Sequence, residues 1–432
     1  MYIDQIRQVM QFHRFPFFFF SVLSWIFLSV PANAQQQAVC TVNVSSSITT
    51  LNSQITSLQN EISPFVAPVT PVLGPSIFEF WGDSITAGSF GLSSPTTQRW
   101  SYLVSKQFGV TELNNGVSGF LWSNCLPHMY SIGRNRNSVV FLALGVNDVG
   151  QASTSMSVQE TLYAAESTIW YSTLPASAFA NKPSWIKSNM GGLTPAWAAI
   201  PDPQYGNIGY GTSQVGDTVT ANVTGRFIVI ASTVNYDPTL STTKYGTISI
   251  TVDGNPILVN QAQVAFTPTK TESGFQGYPV FTYVIDTQNS STSNHSVSFT
   301  IGTPLGGFSA LQFIDWIAGF SYNTSFSPVV LLSIYRYQTD NGGNGYTAPG
   351  GAMVTSQIER TVLNEEYRLL VTRMREEYNL PLYFVQDAAG YDPAKLSPDT
   401  LHPNPYGHQY IANRVTRVLQ KGEFPFLSAG LM

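Results

Sequence analysis

The feature that most limits what this chain can fold into is an interruption. From Ser76 the sequence alternates strand-like and helix-like stretches. Ile77 to Trp81 reads as a strand, Arg99 to Phe108 as a helix, Val110 to Leu113 as a short strand, Val139 to Leu144 as a strand and Ser157 to Tyr171 as a helix. The stretch VVFLAL at 139–144 is apolar throughout, as in a strand buried on both faces. From about Ser172 to Ser325 the alternation stops. After an irregular start bearing Trp and Pro, apolar and polar residues alternate with period two over Thr218 to Val223, Arg226 to Ser232, Gly246 to Val252, Val280 to Ile285, His295 to Ile301 and Phe313 to Phe320. Turn residues separate these stretches, and Asp253-Gly254 is a strong hairpin signal. The first pattern then resumes, with Val329 to Tyr335 and Leu382 to Val385 as strands, and Ser356 to Tyr378 and Tyr406 to Leu419 as helices. Alternating strands and helices predict a parallel sheet covered on both faces, and short strands at regular spacing predict a sandwich. The order therefore predicts an α/β fold with an all-β sandwich inserted between its third and fourth strands. The expected boundaries are 76–172 and 327–432 for the two parts of the α/β domain and 173–326 for the insertion.

The chain has 432 residues, more than one compact domain needs. Charge is scarce, Lys and Arg (20) are outnumbered by Asp and Glu (25), and no basic run occurs, which argues against nucleic acid as a partner. Residues 1–34 have the pattern of an export signal. Arg7 and Arg14 precede the apolar run PFFFFSVLSWIFLSV, which ends in Ala32-Asn33-Ala34. The alternative is a membrane anchor, but about 16 apolar residues fall short of the roughly 20 that span a bilayer. A secreted, periplasmic or extracellular protein with no membrane span after cleavage is the expectation. Two cysteines then remain, Cys40 and Cys125. In an oxidising compartment they are candidates for a disulfide, and two unpaired thiols are the alternative.

Residues 35–75 form a segment of their own. Ile48, Leu51, Ile55, Leu58, Ile62 and Phe65 repeat at three- and four-residue steps, the seam of a short coiled coil. Either residues 44–65 make a homo-oligomeric contact, or they form one amphipathic helix lying on the domain. Pro64, Pro68, Pro71 and Pro75 follow as a stiff linker.

In a parallel α/β sheet the site lies beyond the carboxyl ends of the strands. Four such places here carry unusual polar signatures: Gly82-Asp83-Ser84, Asn114 to Phe120 (NNGVSGF), Gly145-Val146-Asn147-Asp148, and Asp399-Thr400-Leu401-His402. A serine hydroxyl becomes a useful nucleophile when an imidazole takes its proton, and an acid three residues before that histidine can orient it. Asp83 and Asp148 are expected to hold loop N–H groups. His408, His128 and His295 are expected to be structural. No cluster of metal-ligand spacing stands out, so neither metal nor cofactor is expected.

Together these motifs resemble those of the SGNH, or GDSL-type, hydrolases. The resemblance covers roughly 76–171 and 328–422, not the insertion. It implies a three-layer, flavodoxin-like parallel sheet. It also implies Ser84 as nucleophile, His402 as base and Asp399 as its partner, with an oxyanion hole of the Ser84 and Gly119 N–H groups and the Asn147 amide. Ile85 departs mildly from the Leu of the name motif. An exported member with an inserted sandwich is similar to the carbohydrate esterases of that family, which implies an acylated glycan, O-acetylated above all, as substrate. The alternatives are a lipase or broad short-chain ester hydrolase, an acyltransferase, and a glycan-binding surface protein on the same scaffold. Trp122, near Gly119, is a candidate platform for a sugar ring, with Trp185 and Trp197 as others; core packing is the competing role for each.

Overall fold

The computed structural model describes residues 76–150, 158–180, 198–202, 206–212, 216–234, 246–257, 280–289, 293–304, 312–335, 353–386, 391–397, 399 and 401–421. All belong to one compact unit, Pro68–Met432. The export signal, the 44–65 seam, the proline linker, Cys40, Trp185 and Trp197 lie outside the described residues.

The first α/β part runs β1 (Ile77–Gly82), α1 (Ser84–Ala87), α2 (Pro95–Gln98), α3 (Trp100–Phe108), β2 (Thr111–Gly116), α4 (Trp122–Ile132), β3 (Val139–Ala143), α5 (Val146–Gly150) and α6 (Val158–Thr173). Strands β4 (Ala198–Asp202), β5 (Gly206–Thr212), β6 (Thr218–Thr224), β7 (Phe227–Val234), β8 (Gly246–Val252), β9 (Asn255–Ile257), β10 (Val280–Asp286), β11 (Asn294–Pro304) and β12 (Gln312–Phe320) follow. The chain then returns through β13 (Val329–Leu332), α7 (Met353–Tyr378), β14 (Leu382–Val385), α8 (Pro393–Leu396) and α9 (Pro405–Lys421).

Strands β14, β13, β3, β1 and β2 lie side by side in that order, and every pairing is parallel. Numbered within this sheet alone, the order is the flavodoxin-like 2-1-3-4-5. The third and fourth strands are neighbours in space although all nine antiparallel strands intervene in sequence, so the interruption is an insertion. Aromatic side chains on one face of β1 lock it to β3: the Phe80 and Phe141 rings stack at 4.5 Å, and Phe78 meets Phe141 at 5.0 Å. The opposite face carries a buried charge. Glu79 is paired with Arg134 at 3.5 Å and accepts a bond from Ser138 at 2.8 Å.

The insertion consists of a five-stranded sheet, β10-β7-β12-β5-β4, and a four-stranded one, β6-β11-β8-β9. Ile228, Ile230, Ile314 and Ile317 of the first sheet meet Val219, Ile250, Val297 and Phe299 of the second, forming the sandwich core. The other face of the first sheet is equally apolar. Phe227, Val229, Ala231, Trp316, Ala318 and Phe320 belong to the core of the α/β part. A register shift between Ile314 and Trp316 makes this work: the extra residue, Asp315, turns Trp316 to the opposite face from the one strict alternation would give. Trp170 of α6 packs on Phe320 at 5.2 Å, and Trp316 donates to the Tyr130 hydroxyl at 3.0 Å. The sandwich is thus packed onto the α/β part along β7 and β12.

Helix α4 has no counterpart in the sequence reading, because Pro127 sits inside it. Its inward face, Trp122, Cys125, Leu126 and Met129, is buried, and tertiary packing outweighs the hydrogen bond that proline forgoes. Cys125 is a free thiol in this core, 1% exposed, with burial pushing its pKa up. Its candidate disulfide partner, Cys40, lies outside the described residues.

Candidate active site

Strand β1 ends at Gly82 because the chain must turn sharply there. A Cβ on this residue would lie 2.7 Å from the carbonyl oxygen of Ala143, at the end of the neighbouring β3. Asp83 then caps α1, accepting from the Ile85 N–H at 2.9 Å. Ser84, the first residue of that helix, stands at the carboxyl end of the sheet with a backbone N–H that has no intrahelical acceptor. Asn114, in the second motif, holds this turn from the side: its amide donates to the Thr86 carbonyl at 2.7 Å.

Ser84 Oγ lies 2.9 Å from His402 Nε2. His402 Nδ1 lies 2.6 Å from Asp399 Oδ2, while Asp399 Oδ1 accepts from the backbone N–H of His402 at 2.6 Å and of Leu401 at 3.1 Å. An aspartate facing Nδ1 places the proton there, which leaves Nε2 to accept from the serine hydroxyl. Burial alone would raise the Asp399 pKa, but the bonds from the His402 ring and backbone outweigh it and hold the carboxyl below its ordinary range. Two segments 318 positions apart thus assemble one hydrogen-bonded Ser-His-Asp arrangement.

Gly119 has a φ of +79° with no protein atom within 4 Å of where a Cβ would stand. Left-handed backbone, rather than crowding within the protein, is what calls for glycine here. The Asn147 amide donates to the Phe120 carbonyl at 3.0 Å, which ties the third motif to the second and leaves its other N–H hydrogen for a ligand.

Asp148 accepts the Trp122 N–H at 3.3 Å and, with Asp83, does the loop-holding expected of it. Both carboxyls are buried without a cation, and burial raises each to about 7 against the backbone hydrogen bonds they accept.

Trp122 is not a sugar platform. It is fully buried, its indole bonded to the Tyr367 hydroxyl and packed edge-on at 5.8 Å. The N–H that Asp148 captures starts α4 with this side chain turned inward. His408 is a packing residue: it is 1% exposed, takes the Trp100 N–H on Nδ1 at 3.2 Å, and is driven by burial to about 3. His128 packs between Trp81 and Phe120 at 5.6 and 5.2 Å. His295 of β11 has an acidic partner after all, Asp253, 2.7 Å away in the hairpin after the neighbouring β8. The sequence reading missed Phe90, whose ring centroid lies 4.3 Å from that of His402 while half its surface stays exposed. An apolar residue in a polar Gly/Ser loop was the available signal.

Among the described residues no helix is long and apolar enough to cross a membrane. No protein-family model matches the chain, and no curated protein does. Solved structures similar to it include a native aryl esterase of M. smegmatis, 10% identical with a TM-score of 0.34, covering 80% of this chain and 98% of that one. An acetylxylan esterase from Geobacillus stearothermophilus is 12% identical with a TM-score of 0.34, covering 79% and 93%. A two-domain esterase active on acetylated mannans is 14% identical with a TM-score of 0.28, covering 57% and 90%. The likeness is remote at these values, and the chemistry of the site rests on the chain's own geometry.

Proposed function

We propose that this protein is an exported serine esterase of the SGNH type that removes acyl groups, O-acetyl above all, from a carbohydrate. The observation that carries the reading is the unbroken relay from Asp399 through His402 to Ser84, with bonds of 2.6 and 2.9 Å.

In this reading Ser84 Oγ attacks the acyl carbon and passes its proton to His402 Nε2. The carbonyl π electrons move onto oxygen, where the N–H groups of Ser84 and Gly119 and the free N–H of Asn147 receive the charge. Collapse restores the carbonyl and breaks the bond to the sugar oxygen, which takes the proton from Nε2. Water then repeats the sequence on the acyl-enzyme, releasing the acid and restoring Ser84. Asp399 keeps the proton on Nδ1 and stabilises the imidazolium.

The carbohydrate part of the reading draws on the resemblance and the inserted sandwich. Acetate release from a panel of acetylated polysaccharides, beside a long-chain ester, tests it with wild type and Ser84→Ala. Ser84-dependent acetate release is the expected outcome. Activity confined to the long-chain ester would replace it with a lipase.

A further inference from the structure

Phe90 is held where it is by two close approaches. Gly91, the next residue, has a φ of +75°, and a Cβ there would lie 2.9 Å from the carbonyl oxygen of Pro403, the residue after His402. On the other side, Ser89 Oγ bonds to Ser118 Oγ at 2.6 Å, tying the loop to the residue before Gly119. The loop is therefore clamped to the base on one flank and to the oxyanion segment on the other. It presents a ring tilted 39° to the imidazole, with half of that ring in water. A half-exposed phenylalanine forgoes part of the stabilisation that its full burial would contribute.

The reaction geometry says which part of a substrate this ring meets. The acyl oxygen must face the N–H donors of Ser84, Gly119 and Asn147, whereas the alcohol oxygen must come within hydrogen-bond reach of His402 Nε2 to take its proton. A ring packed on His402 therefore flanks the alcohol, not the acyl group. We infer that Phe90 is the specificity-determining residue of the alcohol subsite and takes an alcohol with a flat apolar face, such as the C–H face of a pyranose ring. The inference rests on the esterase reading above.

The test compares wild type, Phe90→Ala and Phe90→Trp on an acetylated methyl pyranoside and on ethyl acetate, which share an acyl group and differ in the alcohol. Phe90→Ala is expected to lower kcat/KM for the pyranoside about tenfold, chiefly through KM, and to leave ethyl acetate within about twofold. Phe90→Trp is expected to restore the pyranoside. Thermal unfolding of all three controls for folding. Equal losses on both esters, or a pH–rate profile displaced alike on both, would reduce Phe90 to a prop for His402 and overturn the inference. So would no loss on either. Labelling of Ser84 by a fluorophosphonate separates the two levels. A wild type that neither labels nor turns over either ester takes down the esterase reading and this inference with it. An active, labelled wild type with an unaltered Phe90→Ala takes down this inference alone.

Discussion

The described residues include two acid–imidazole–hydroxyl arrangements, one at the end of the parallel sheet and one in the sandwich. In the first, Asp399, His402 and Ser84 are joined at 2.6 and 2.9 Å. In the second, Asp253 bonds His295 Nδ1 at 2.7 Å, and His295 Nε2 lies 3.4 Å from the Thr287 hydroxyl. The residue chemistry is nearly the same and the surroundings are not. The Thr287 hydroxyl is committed to the Arg226 carbonyl at 2.7 Å, so its proton is not offered to the imidazole. The His295 side chain is 1% exposed, against 14% for His402. The first arrangement is open at a strand end, as a reacting centre must be. The second fastens β11 to the hairpin after β8.

The comparison breaks if the wrong member matters to turnover. Ser84→Ala or His402→Ala is expected to cost about 10⁴-fold or more in kcat, measured on acetyl ester hydrolysis with folding checked by circular dichroism. His295→Ala should leave kcat within about twofold and lower the stability by about 1–3 kcal/mol, because Asp253 and Thr287 lose their partner. A large kcat loss in His295→Ala with stability intact would make the sandwich arrangement functional.

The proposed oxyanion donors sharpen the same contrast. Asn147→Ala is expected to lower kcat about 10²–10³-fold with little change in KM. An unaltered kcat would mean that the amide serves only the Phe120 carbonyl.

A third expectation concerns the weld between the regions. Trp316→Ala removes a buried indole and its bond to Tyr130, and about 3–5 kcal/mol of stability should go with it. Calorimetry should show one transition moving down for the whole unit. Two separate transitions, only one of them shifted, would mean that the sandwich unfolds by itself.

A further expectation is a pH dependence behind the site. Asp83 and Asp148 titrate near 7 in the native state because burial disfavours their charge. In the unfolded chain they titrate near 4. Between those values the native protein holds protons that the unfolded chain has released, so stability is full below about pH 4, falls as pH rises towards 7, and levels off above. Asp399 and Asp253 act oppositely and lower, since their native values are depressed and their contribution fades only as pH falls through the acid range. The melting temperature should therefore be higher at pH 5 than at pH 8, and Asp148→Asn should flatten the difference. A melting temperature that rises steadily from pH 5 to 8 would contradict the raised values.

Much of the site was legible because its members lie at or near strand ends, where turn chemistry shows in single residues. Gly82-Asp83-Ser84, Gly119, Asn147 and the pair Asp399 and His402 stand out on that ground. Trp122 misled because it belongs to α4, and whether that helix's residues face a ligand or the core depends on the rotation of a helix that carries an internal proline. His295 gave no hint of Asp253 because their contact spans 42 positions.

The amino-acid order by itself determined the α/β alternation, its interruption and the placing of polar motifs after the strands, because hydrophobic period and turn chemistry are local properties. Only the tertiary structure decided that the inserted sheet is buried on both faces, that one histidine meets Ser84 while another is sealed in the sandwich, and that Phe90 lies against the base. Those outcomes depend on which distant surfaces exclude water from one another, and no local pattern encodes that.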